Sequence, residues 1–186
     1  TSQAGLSYVH SFATGGPVGE PQLISGGVAA GDYDKDGWVD LYVARGSIGP
    51  NLLLRNLGNG TFVDVGESAG VDLSGIVTSG LTVADFSGDG FLDLFLGGIS
   101  PTKISLFGNN GNGTFSDITA SVPQDGISSR NTFSVAFSDY DLDNDLDFFM
   151  THWGSGVVNG TSEHLWRNNG DSTFTDVSTE SGISAT

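Results

Sequence analysis

Short apolar runs rich in β-branched and aromatic residues, each bounded by Gly, Asn or Asp, are the dominant pattern along the chain. The first clear set falls at about Gly27–Gly31, Val39–Arg45, Asn51–Asn56 and Thr61–Val65. Runs of this length and composition between turn residues predict β-strands. No stretch sustains the period of an amphipathic helix. The runs Leu41-Tyr42-Val43, Leu94-Phe95-Leu96 and Phe148-Phe149-Met150 lack the alternation of a half-exposed strand, which predicts strands covered on both faces. Asn-Gly between the third and fourth runs predicts a hairpin with a type I′ turn.

The pattern repeats. "DYDKDGWVD" at 32–40 returns as "DFSGDGFLD" at 85–93 and "DYDLDNDLD" at 139–147, with starts 53 and then 54 residues apart. "NLLLRN", "ISLFGN" and "HLWRNN" follow in turn, and after them "NGTFVDV", "NGTFSDI" and "DSTFTDV". Three signatures that keep one order three times define a structural repeat. The fold class expected is therefore all-β, with three four-stranded repeats of about 53 residues stacked as the blades of a β-propeller. A solenoid is the rival, but its repeats are usually shorter than about 50 residues. The divisions expected are 23–76, 77–130 and 131–186, preceded at 1–22 by a lead-in or a strand of a neighbouring blade. Closed propellers have roughly 4–8 blades. Three leave two blade faces open, to be covered by further repeats or by other copies in a ring or filament.

Four carboxylates within the nine residues of 32–40 repel one another unless a cation gathers them. Ca²⁺ takes 6–8 oxygen ligands. A wrapped loop can turn the side chains of positions 1, 3, 5 and 9 and the carbonyl of position 7 toward one centre. The first loop then offers Asp32, Asp34, Asp36, the Trp38 carbonyl and Asp40. The second offers Asp85, Ser87, Asp89, the Phe91 carbonyl and Asp93, and the third Asp139, Asp141, Asp143, the Asp145 carbonyl and Asp147. Position 6 holds Gly37, Gly90 and Asn144, the residue types that tolerate a left-handed backbone. An EF-hand would need Glu at position 12, where Val43, Leu96 and Met150 stand, and helices on either side. Mg²⁺ prefers fewer carboxylates and retained waters. About three Ca²⁺ are expected, one per repeat, with the second site weakest because Ser87 replaces a carboxylate.

These loops, with the "NGTF.D" segments, resemble the FG-GAP/VCBS-type repeat over about residues 23–183. "GGVAAGDYDKDGWVDLYVARG" and "NLLLRNLGNGTFVDVGESAGV" are similar to the variety in cartilage acidic protein-like and bacterial secreted chains. The resemblance implies calcium-bound propeller blades, as in the integrin α-subunit head, in extracellular or cell-surface proteins. It implies a structural role for calcium, holding the loop between the first two strands of each blade.

Composition narrows the functions. With 22 acidic and 6 basic residues and a formal charge of −16, the chain lacks the basic clusters that nucleic acid or an anionic membrane requires. A content of 10% aromatic and 37% hydrophobic residues argues against disorder. The absence of cysteine removes disulfides and thiolate zinc sites. No apolar stretch approaches a membrane span. No signal peptide is visible, and a start at Thr1 points to a processed or excised chain. Asn59, Asn112 and Asn159 open Asn-Gly-Thr sequons, acceptor sites if the protein is secreted from a glycosylating cell. His152 and His164 can meet in the third repeat, and Trp38, Trp153 and Trp166 are candidates for a sugar-stacking platform. No G-x-S-x-G stretch is present, and the acids are better used as metal ligands than as a catalytic pair. The reading is an extracellular, calcium-stabilised structural or adhesion module, not an enzyme, whose partners are other copies, further repeats, or an extracellular protein or glycan. The alternatives are a glycan-binding module and a non-catalytic accessory domain of a secreted enzyme.

Overall fold

The computed structural model describes Ala4, Leu6 and residues 26–46, 49–99, 103–123, 131–153 and 163–183. Among the described residues twelve strands form three antiparallel sheets, each a four-stranded meander in chain order. The first sheet holds β1 (Gly27–Gly31), β2 (Asp40–Ala44), β3 (Leu52–Asn56) and β4 (Phe62–Asp64). The second holds β5 (Thr78–Ala84), β6 (Asp93–Gly98), β7 (Ser105–Asn109) and β8 (Phe115–Asp117). The third holds β9 (Asn131–Ser138), β10 (Asp147–Trp153), β11 (His164–Asn168) and β12 (Phe174–Asp176). The first strands stand side by side, β1 against β5 and β5 against β9, so the sheets radiate like consecutive propeller blades.

Alternation along β6 explains its unbroken apolar run. Leu94 and Leu96 face the first blade, where they meet Tyr42, Leu53 and Val71. Phe95, one residue out of phase, faces the third blade with Leu106, Phe148, Met150 and Trp166. Both faces are inter-blade core, as the sequence pattern predicts. Phe148 packs edge-on to Phe174 at 5.1 Å and stacks with Trp166 at 6.0 Å. The inner strands approach too closely for side chains at some points. A Cβ on Gly97 would lie 2.4 Å from the Ser79 carbonyl oxygen and 2.9 Å from that of Thr132. Substitution there needs backbone displacement.

The outer faces are less covered. In the register, Ala136, Phe149 and Leu165 occupy the places that Thr82, Phe95 and Leu106 hold in the second blade. Phe95 is fully buried, whereas Phe149 is half-buried and Ala136 exposed. At the opposite end Val28, paired with Val43, is 60% exposed, while Leu6 packs on Val43, Leu52 and Leu54. The rest of the 1–22 lead-in lies outside the described residues, apart from Ala4.

Two local expectations change. The turn between β3 and β4 is not a two-residue type I′ hairpin. Gly58 and Gly60 have positive φ but Asn59 does not, and the Leu57 amide reaches across to the Thr61 carbonyl at 2.9 Å. Asn59 instead caps the turn, its Oδ1 accepting from the Thr61 amide at 3.0 Å and hydroxyl at 2.6 Å. Asn112 does the same for Thr114. Second, a one-turn helix, Gly66–Ala69, follows β4. Asp64 Oδ1 accepts the Gly66 amide at its start, and Asp117 and Asp176 likewise accept the amides two residues on. The Asp of each "F.D" signature is thus a strand terminator.

Candidate metal centres

Each acidic loop joins the first strand of a blade to the second, and all three fold on one plan. The carboxylate of position 1 accepts the amide of position 6: Gly37 to Asp32 at 2.9 Å, Gly90 to Asp85 at 2.8 Å and Asn144 to Asp139 at 3.0 Å. The position-5 carboxylates of Asp36, Asp89 and Asp143 accept the position-7 amides of Trp38, Phe91 and Asp145. Gly37, Gly90 and Asn144 have φ of 92°, 87° and 77°, as their residue types predict. Position 4 is left-handed as well, at Lys35, Gly88 and Leu142. No residue pattern signals this, because Lys and Leu rarely adopt that conformation.

In the first loop, single oxygens of Asp32, Asp34 and Asp40 lie within 4.8 Å of one another, and in the third those of Asp139, Asp141 and Asp143 do so. Asp36 turns aside: Arg55 Nη2 is 3.1 Å from its Oδ2, and Arg55 Nε is 2.6 Å from Asp34 Oδ2. Among the described residues no matching trio of carboxylates forms in the second loop, where Ser87 stands at position 3. That loop holds a different signal. Asp85 Oδ1 is buried without a hydrogen-bond partner among the described residues. An unpaired buried carboxylate oxygen is costly and marks a place for a proton or cation.

Position 9 has a second role. Asp40, Asp93 and Asp147 are all buried. One oxygen of each accepts the amide of position 2 in its own loop, from Tyr33, Phe86 and Tyr140. The other accepts the amide that ends the third strand, from Asn56 at 2.7 Å and from Asn109 and Asn168 at 2.8 Å. These carboxylates staple loop to strand as well as facing it. Desolvation pushes the Asp40 and Asp93 carboxyls above the ordinary value, against the pull of the amides they accept, and the neighbouring loop acids add to the rise. The exposed Asp141 is raised by partial desolvation and by Asp143.

The loops therefore suit a hard cation: the donors are all oxygen, carboxylates predominate, and one oxygen waits unpaired. Arg55 bears on this directly, since its guanidinium neutralises the carboxylates a cation would use. Arg55→Gln is expected to tighten calcium binding in the first loop about fivefold while costing little metal-free stability, because solvent screens the guanidinium. Titration calorimetry on the variant and the wild type measures it; equal or weaker affinity would show that Arg55 supports the site.

Other candidates separate cleanly. His152 and His164 do meet, edge to face with centroids 5.1 Å apart, and Asp176 lies 3.0 Å from His164 Nδ1. Trp166 is 1% exposed in the inter-blade core, so it cannot serve a sugar platform with the exposed Trp38. Asn59 and Asn112 are exposed, while Asn159 lies outside the described residues.

An all-β chain of radiating four-stranded blades, each with an acidic loop between its first two strands, is a propeller-type repeat protein. It belongs to the FG-GAP-like repeat family, whose profile matches residues 32–96 and 85–150. Cartilage acidic protein 1 of Mus musculus is 35% identical over 127 residues, and that of Homo sapiens 34% over 127 residues. Either alignment covers 66% of this chain, which spans 19% of the length of those relatives. Among solved structures, an Agrocybe aegerita lectin studied for its recognition of non-reducing terminal N-acetylglucosamine superposes with a TM-score of 0.47 at 20% identity, covering 83% of this chain and 37% of that one.

Proposed function

We infer that the chain is an extracellular, calcium-stabilised structural or adhesion module that acts by presenting blade surfaces to partners. The observation that carries this is the shared loop geometry, with the buried Asp85 Oδ1 lacking a hydrogen-bond partner among the described residues. The residues that would hold calcium in the first loop are Asp32, Asp34, Asp40 and the Trp38 carbonyl, with Asp36 joining them by giving up its contact to Arg55, and their register equivalents would do so in the other two. Bound calcium supplies positive charge that lets the carboxylates of a loop stay close. Three divalent ions would bring the formal charge from −16 to −10. The half-buried Phe149 and exposed Val28 at the outer faces support partners that continue the blade stack, either further repeats or other copies.

Calcium titration followed by calorimetry tests the reading. Three ions are expected, with the second loop weakest, because the Ser87 hydroxyl is neutral and donates to Asp93. A stoichiometry of zero at millimolar calcium would overturn the proposal, and a second site as tight as the others would overturn the ranking. Light scattering on the loaded chain at micromolar concentration is expected to show association. A stable monomer would remove self-contact from the reading.

A further inference from the structure

The three acidic loops are wired to one another through a ladder of hydrogen bonds between blades. Asn109, at the end of β7, sends its side-chain Nδ2 into the first blade, where it donates to the Tyr33 carbonyl at 2.9 Å. Asn168, at the end of β11, donates in the same way to the Phe86 carbonyl of the second blade, also at 2.9 Å. Both Asn side chains are buried. Their backbone amides hold Asp93 and Asp147, the closing carboxylates of their own loops, at 2.8 Å. Tyr33 and Phe86 in turn donate their amides to Asp40 and Asp93. The path therefore runs Asp147, Asn168, Phe86, Asp93, Asn109, Tyr33, Asp40 without a break. A second contact crosses the first interface, where Lys35 Nζ of the first loop sits 3.9 Å above the Phe91 ring of the second.

The rungs fall where they matter. Tyr33 lies between the ligand positions Asp32 and Asp34, and Phe86 between Asp85 and Ser87. Fixing both backbone groups of that residue fixes the directions of the ligands on either side, so less ordering remains for the ion to impose. We propose that Asn109 and Asn168 are positioning residues that couple calcium binding in each loop to the blade that follows it. This rests on the calcium reading above. A filled loop holds its position-2 carbonyl for the next blade's Asn, and that Asn, held by its own loop's closing Asp, orders the loop before it. By linkage the effect is reciprocal.

The repeat supplies its own control. Asn56 makes the intra-blade bond, Nδ2 to the Val39 carbonyl at 3.0 Å, that Asn109 makes to Leu92, but it has no preceding blade among the described residues. The position-6 amides of Gly37, Gly90 and Asn144 give one nuclear magnetic resonance reporter per loop. Titration of the full chain with calcium chloride is expected to show that Asn109→Asp, which keeps the acceptor for the Gly111 amide but loses the donor, weakens the Gly37 site about fivefold or more and leaves Asn144 unmoved. Asn168→Asp should shift Gly90 more than Gly37, and Asn56→Asp, which breaks only an intra-blade bond, should shift Gly37 most and spare Asn144. If either Asn variant fails to fold, Asp141→Asn in the wild-type background serves: weakening the third loop should shift Gly90 more than Gly37. Unmoved neighbours in these variants, with calcium still binding, would overturn the coupling alone. Absence of any calcium shift in the wild-type chain would overturn the calcium reading beneath it.

Discussion

Removing calcium is expected to lower the melting temperature of the chain by about 20 °C. At free calcium about 100-fold above the dissociation constant, each occupied site adds roughly 2.7 kcal/mol. Three sites then contribute about 8 kcal/mol, which rivals the whole stability of a typical domain. For a chain of this size each kcal/mol moves the midpoint by about 2–4 °C. Scanning calorimetry in excess calcium and in excess chelator measures the difference. Two controls separate site binding from a general effect of salt on an acidic chain. Sodium chloride at matched ionic strength screens exposed charges from one another, most of all beyond the Debye length of about 10 Å at 0.1 M, but does not fill a ring of carboxylates. Magnesium matches the charge but prefers tight octahedral geometry with retained waters. A calcium effect no larger than that of magnesium would reduce the loops to screened acidic turns.

How far this site could be read in advance depends on what each residue does. The loop positions were legible because acids at alternating positions repel one another unless a cation gathers them, and because Gly37, Gly90 and Asn144 agree with them through backbone sterics. The blade was legible because β6 is apolar at every position from Leu94 to Leu96, as a strand buried on both faces must be. The Asn that ends each third strand was visible as a repeated letter with no assigned purpose. Its partner is a carbonyl in the previous blade, a contact 76 or 82 residues away in sequence, and no local pattern encodes that. Arg55 was equally silent, since a surface arginine in a strand has no signature until the fold brings it over Asp34. The turn after β3 misled for a physical reason: Asn-Gly fits a type I′ turn, but here the Asn59 side chain takes the turn bonds and only the glycines go left-handed.

Position 9 is where ligand and staple have to be told apart, and the second loop allows it. Asp93 is fully buried, and it accepts the amides of Phe86 at 3.0 Å, Ser87 at 2.8 Å and Asn109 at 2.8 Å. Asp93→Ala leaves all three donors without their acceptor, two of them, on Phe86 and Asn109, buried away from water, while the exposed Ser87 can turn to solvent. At about 1–3 kcal/mol for each of the two buried groups, the loss is about 2–6 kcal/mol, which at its upper end unfolds a marginal domain. Asp89 sits in the same loop but is exposed and, among the described residues, accepts only the Phe91 amide. Asp89→Ala should therefore cost less than about 1 kcal/mol without calcium, in the range of surface substitutions, and show its larger effect only as lost calcium stabilisation. Denaturant unfolding of both variants, each with calcium and with chelator, gives four stabilities. The staple predicts that the Asp93 deficit persists in chelator while the Asp89 deficit nearly vanishes there. Two deficits that both vanish in chelator would mean that Asp93 serves only as a ligand, and the hydrogen bonds that join loop to strand would count for nothing in the metal-free fold.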